Sequence, residues 1–158
     1  VRLNDDEMLI TPSSMDYFDI RIEDIVKVNI HTLEYGNQRI PSTEVRMHAA
    51  AYRELPDCKA LVQTRSNAIS VFAACKAGFA LGEGELQDLI GDVKVTDYAL
   101  PGSEELAESV VSTLKGTHAC VIPHHGAVFY GPSLEVVLAI AEAVEMRARN
   151  ILAFDSGL

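Results

Sequence analysis

Tryptophan is absent, aromatic residues make up only 6% of the chain, and basic residues are few: 13 Lys and Arg stand against 23 Asp and Glu, a formal net charge of −10. Such an acidic surface repels phosphate backbones, which excludes a general nucleic-acid binder. Small anions stay open as ligands, because a pocket can hold local positive charge that the total hides. No apolar run reaches the roughly 18 residues a membrane-spanning helix needs. The richest stretch, Val136 to Ile151, is interrupted by Glu142, Glu145, Arg147 and Arg149. No basic-then-apolar leader is visible. Cys58, Cys75 and Cys120 are too few and too scattered for a disulfide framework, and read as reduced, mostly buried thiols of a cytoplasmic protein. There is no GxxxxGK[ST], GxGxxG, CxxC, HExxH or GxSxG, so nucleotide, dithiol, zincin and serine-hydrolase chemistry have no support.

What is present is a core. Hydrophobic residues make up 48% of 158 residues, enough for one folded domain over 1–158. The start at Val1, inside what reads as a strand, points to an absent N-terminal segment. Asn4-Asp5-Asp6 predicts a turn joining Val1–Leu3 to a strand at Met8–Thr11, and the β-branched alternation of 25–30 predicts another strand. Tyr35-Gly36-Asn37 reads as a turn. A helix capped by Ser42 or Thr43 follows to about Leu55, with Val45, His48, Ala49 and Tyr52 at helical spacing. Lys59–Gln63 is a short strand, and Ser66 or Asn67 caps a helix ending near Gly78, with Ile69, Phe72, Ala73 and Lys76 along one side. The segment Phe79–Gly91 has no clear period. Val93–Tyr98 alternates as a strand, and Pro101-Gly102-Ser103 caps a helix to Leu114. Ala119–Ile122 and Ala127–Tyr130 read as a hairpin, and Gly131-Pro132-Ser133 caps the longest helix, with a stripe of Leu134, Val137, Leu138, Ala141, Val144, Ala148 and Ile151. Hairpins among helices imply a mixed or mainly antiparallel sheet.

Candidate chemistry is thin but localised. His124 and His125 lie between two predicted strands, so one can enter a pocket while the other packs or faces solvent, and Gly126 implies close passage of the backbone. Glu44 opens a helix with His48 one turn on; it is either a dipole-favoured first-turn carboxylate or a positioned acid/base. Gln63 and Arg65, two apart at a strand end, face the same way, and Arg65 can hold an anion or pair with an acid. Ser13-Ser14 and Ser42-Thr43 are hydroxyl-rich turns able to donate to a phosphate.

The order of LITPSSMD, PSTEVRMHAAAYRELPDCKALVQTRS, YALPGSEELAESVV and VIPHHGAVFYGPSLEVVLAIAEAVE resembles the class II aldolase/adducin family over nearly the whole chain. The resemblance implies an α/β fold, a three-layer α/β/α sandwich with a central mainly antiparallel sheet. It also implies an aldolase-type lyase acting on a small phosphorylated sugar or hydroxy acid. A homo-oligomer, with a tetramer favoured and sites at subunit interfaces, is implied as well. Glu44 matches the family's acid/base carboxylate, His125 its third zinc ligand, and Ser13, Ser14, Ser42 and Thr43 its phosphate-holding turns. The two remaining zinc histidine positions are Gln63 and Arg65 here. A Gln oxygen is a poor neutral donor and a guanidinium has no lone pair, so no cofactor is expected, zinc being the one alternative. Three readings follow: an enzyme in which Arg65 replaces the metal as electrophile while Glu44 shuttles the proton; a metal-free ligand-binding or assembly protein without turnover; or a metal site completed by another residue. Convergence of Glu44, Arg65 and His125 distinguishes the first, an Arg65–Glu44 ion pair the second.

Overall fold

The computed structural model describes residues 1–36 and 39–155. A two-stranded antiparallel unit, β1 (Glu7–Ile10) with β2 (Val26–Asn29), precedes α1 (Val45–Glu54). Then come β3 (Ala60–Thr64), α2 (Asn67–Cys75), α3 (Glu85–Ile90), β4 (Lys94–Val95), α4 (Glu104–Leu114), β5 (Ala119–Ile122), β6 (Gly126–Gly131) and α5 (Leu134–Asp155). The central sheet has the order β3-β6-β5-β4: β6 is antiparallel to both β3 and β5, and β4 is parallel to β5.

Alternation along these strands builds two cores. Leu61, Cys120, Ile122, Val128 and Tyr130 face one side, where they pack with α1, α4 and the β1–β2 unit. Ala60, Ala119, Val121, Ala127 and Phe129 face the other, against α2 and α5. The period of two therefore makes one sheet the middle of three layers, as the family resemblance implied. In α1 the run Ala49-Ala50-Ala51 is buried, and small side chains there let α4 approach with Leu106, Val110, Val111 and Leu114. Ser103 caps α4 by accepting from the Leu106 amide at 3.1 Å.

Several local expectations shift. The chain reverses before Tyr35, which bridges Val28; the turn lies at 30–33, with Leu33 at φ 61°, and Asn37 lies outside the described residues. The 93–98 strand shrinks to Lys94–Val95: before it Val93 bridges Phe79, and beyond it the Asp97 amide leaves the sheet to donate to Ser109 Oγ at 2.9 Å. Lys76 is exposed rather than on the inner face of α2; it takes the left-handed conformation (φ 53°) that ends the helix. In α5 the sheet covers Val137, Ile140, Ala141, Val144 and Ala148, while Leu134 and Leu138 stay exposed, since the helix has more apolar residues than one face can hold. Cys58 and Cys120 are buried, whereas Cys75 is exposed. Among the described residues no helix is long and apolar enough to cross a membrane.

His48 sits on α1 with Nδ1 buried and without a hydrogen-bond partner among the described residues. Burial pushes its imidazole down to about 3. The unfolded chain takes up this proton below the ordinary value of about 6.5, and the folded protein does not until about 3. Stability is therefore expected to fall as pH drops across that window. His48→Phe should flatten the decline, read as the urea midpoint between pH 7 and pH 3.5; an unchanged slope would refute this assignment.

Candidate active site

Three segments meet at the α1 side of the sheet end: the start of α1, the two-residue link between β3 and α2, and the β5–β6 turn. Glu44 occupies the N-cap position of α1, where Ser42 or Thr43 was expected, and its side chain makes no capping bond. The Ser42 hydroxyl instead accepts from the Glu44 amide at 3.3 Å, and the Glu44 carboxylate turns inward to 5% residual exposure. A polar side chain that gives up a helix cap for a buried position is held by something else. Here the Gly102 amide donates to Oε2 at 3.4 Å, and His125 Nε2 lies 3.3 Å from Oε1, an ion pair only when the imidazole is protonated.

Arg65 completes the cluster, its Nη2 2.9 Å from His125 Nε2. A guanidinium only donates, so Nε2 accepts and the ring proton sits on Nδ1. The same nitrogen cannot then donate to Glu44: the neutral ring takes Arg65, and an imidazolium would turn to Glu44. Burial holds the His125 imidazole below its ordinary value; the Glu44 carboxylate opposes this and the Arg65 guanidinium adds to it. Among the described residues Arg65 and Glu44 make no ion pair of their own.

Backbone geometry places these groups. The vicinal histidines are not extended: His125 N donates to Ile122 O at 3.0 Å and His124 is left-handed at φ 60°. That tight turn buries His125 and leaves His124 exposed, its ring 6.1 Å from that of Tyr98. Gly126, at φ +109°, runs so close to β3 that a Cβ would lie 2.0 Å from the Thr64 carbonyl oxygen. This is the close backbone passage that the glycine implied. Gly102 is the residue sequence reading missed as part of the site. It was read as part of a helix cap, yet its φ of +75° brings its amide to Glu44, and a Cβ there would meet the Thr43 carbonyl at 2.8 Å.

The two hydroxyl turns also come together. Pro12 bridges Pro41, Ser13 N donates to Ile40 O at 2.9 Å and Ser42 N to Thr11 O at 3.0 Å. Ser13, Ser14, Ser42 and Thr43 thus lie on adjoining strands of chain next to Glu44. By contrast, an open recess of about 360 Å³ lined by Asp97, Tyr98, Ala99, Glu105, Glu108, Ser109 and Ser112 carries three carboxylates and no cation. That lining disfavours an anionic ligand.

The family described as Class II Aldolase and Adducin N-terminal domain matches residues 1–152. The chain belongs to this family. It is 32% identical over 147 residues to the 5-methylthioribulose-1-phosphate/5-deoxyribulose-1-phosphate aldolase of Rhodospirillum rubrum, covering 92% of this chain and 66% of that protein. It is 30% identical over 154 residues to the L-fuculose phosphate aldolase of Escherichia coli K12, covering 93% of this chain and 68% of that protein. A solved L-fuculose 1-phosphate aldolase superposes with a TM-score of 0.88 at 29% identity, over 97% of this chain and 73% of the other. The chain thus spans about two thirds of the length of the curated relatives it matches.

The zinc chemistry associated with class II aldolases does not fit the donor set here. Gln63, in β3 two residues before Arg65, offers only a neutral amide oxygen. The His125 Nε2 lone pair that a metal would need faces the Arg65 guanidinium. Among the described residues no group of three His, Cys, Asp or Glu is placed to hold a metal ion.

Proposed function

We propose that this chain cleaves a small phosphorylated sugar or hydroxy acid in a retro-aldol reaction, with the Arg65 guanidinium standing where the family would place its metal. The convergence of Glu44, His125 and Arg65 within 3.3 Å carries this reading. The curated relatives, named as aldolases of phosphorylated sugars, supply the substrate class.

Glu44 takes the proton of the hydroxyl β to the substrate carbonyl. The carbon–carbon bond then breaks, its electron pair passes into an enediolate, and the aldehyde fragment leaves. Arg65 donates to the enediolate oxygen, where negative charge develops. Glu44 returns the same proton to the enediolate carbon, giving the ketone. His125 holds Arg65 in place through Nε2, and its neutral ring adds no competing charge. Ser13, Ser14, Ser42 and Thr43 hold the phosphate through their hydroxyls. Exposed Tyr17, Phe18 and Ile22 fit a homo-oligomer, in which they would be covered.

The test is release of a three-carbon ketose phosphate from L-fuculose 1-phosphate and 5-deoxyribulose 1-phosphate, with EDTA and with added zinc. Cleavage unaffected by EDTA, and reduced by about 10²–10⁴-fold in Glu44→Gln, is the expected result. Cleavage abolished by EDTA would overturn the role of Arg65. No cleavage, with the sugar phosphate still bound, would favour a binding protein.

A further inference from the structure

Only two residues, Arg65 and Ser66, join β3 to α2, and α2 is anchored near each of its ends. At its N-terminus, Ser66 is the N-cap residue yet makes no capping bond of its own. The cap comes from α5, the helix packed beside α2 on the same side of the sheet. Glu145, on α5, accepts from Ser66 Oγ at 2.7 Å, from the Ala68 amide at 3.1 Å and from the Ile69 amide at 3.1 Å. Arg149, one turn on, donates to Glu145 Oε1 at 2.9 Å. Burial alone would raise this carboxyl, but those four donors outweigh it and hold it below the ordinary value. Toward its other end, α2 receives the His124 amide on the Ala73 carbonyl at 3.0 Å. That bond ties the helix to the turn bearing His125. Arg65 thus enters α2 at one end, and His125 is anchored near the other.

We propose that Glu145 is a positioning residue for the active site: by fixing the N-terminus of α2 from the neighbouring helix α5, it sets where Arg65 leaves β3 and so whether its guanidinium reaches His125 Nε2. This rests on the site assignment above. A helix cap that serves stability alone would affect the melting of α2 and leave the Arg65–His125 bond as it is. A positioning cap moves that bond in protein that is still folded, because a two-residue link cannot absorb a displaced helix end.

The guanidinium signal of Arg65 in ¹⁵N-labelled protein reads the bond directly, with no substrate present. The expected result is a resolved Arg65 Nη–H resonance in the parent protein, assigned by its loss in Arg65→Lys. In Glu145→Ala it merges with the freely exchanging guanidinium pool, while amide exchange at Ala68 and Ile69 rises on the order of tenfold. Glu145→Gln, which keeps an acceptor oxygen, restores the signal in part. Ser133→Ala, which removes the hydroxyl that accepts from Val136 N at 3.4 Å at the start of α5, keeps it in full. An unchanged Arg65 signal in folded Glu145→Ala would overturn the proposal and leave Glu145 a cap only. Should Glu145→Ala fail to fold, Glu145→Gln and Ser66→Ala carry the same comparison, and an unchanged signal in both is equally fatal. Since the signal is read without turnover, an inactive parent protein would overturn the lyase assignment and not this one.

Discussion

Turnover in Arg65→Gln is expected to fall about 10²–10³-fold, the loss that follows removal of a donor aimed at a developing oxyanion. Glutamine keeps a polar group near the β3 end but removes the positive charge and the fork of N–H donors that an enediolate oxygen would meet. If Arg65 acts mainly on the enediolate, kcat falls while KM moves little; a rise in KM alone would make it a ground-state binding group. Arg65→Lys separates charge from geometry. Its ammonium retains a cation but has one nitrogen, so it cannot hold His125 and an oxygen in the same plane, and only part of the activity should return. Steady-state kinetics on the three proteins checks this, and rates for Arg65→Gln equal to the parent's would remove Arg65 from the mechanism.

Gly126→Ala is expected to be the most damaging single methyl in the site. The added Cβ would sit 2.0 Å from the Thr64 carbonyl oxygen and 3.1 Å from Arg65 Cγ, at a backbone φ of +109° that alanine disfavours. The backbone conformation alone costs about 1–3 kcal/mol. The contact forces β6 away from β3 besides, since Thr64 pairs with Ala127 and both strands are backbone there. A loss of about 3 kcal/mol or more is therefore expected, read as a lower urea midpoint, together with loss of cleavage in whatever remains folded. Gly102→Ala makes a useful comparison: its Cβ would meet the Thr43 carbonyl at 2.8 Å. Gly102 lies in a partly exposed turn and not between paired strands, so the stability loss should be smaller, with activity lost through the broken amide contact to Glu44 Oε2. Equal stability of Gly126→Ala and the parent would show that the β5–β6 turn has room that the geometry denies it.

The central elements were legible because their signals are periodic. The alternation of Ala119–Ile122 and Ala127–Tyr130 identifies a hairpin, and the Leu106–Leu114 and Val137–Ala148 spacings identify amphipathic helices. Convergence of Glu44, Arg65 and His125 was an expectation carried by resemblance, since no local pattern relates residues 44, 65 and 125. What escaped was set by tertiary contacts. Glu44 displaces Ser42 and Thr43 from the cap because its carboxylate has partners in the β5–β6 turn and the 101–103 loop. Ser66 has the right chemistry to cap α2, yet Glu145, 79 residues away, takes the amides. No single-sequence pattern marks a carboxylate on one helix as the cap of another. Leu134 and Leu138 were placed inward by a helical period that cannot tell which part of a broadly apolar surface the sheet will cover.

Metal content per subunit tests the substitution of a guanidinium for a metal most directly. Full-length untagged protein, purified without chelator, is analysed by plasma mass spectrometry before and after incubation with zinc and desalting. With Arg65 facing Nε2, and Gln63 and Arg65 standing where the family would place its other two histidines, well under one zinc per subunit is expected in both samples. Close to one zinc per subunit, lost on Glu44→Gln or His125→Ala, would show that Arg65 yields its place to a metal, and would contradict the mechanism drawn from this geometry.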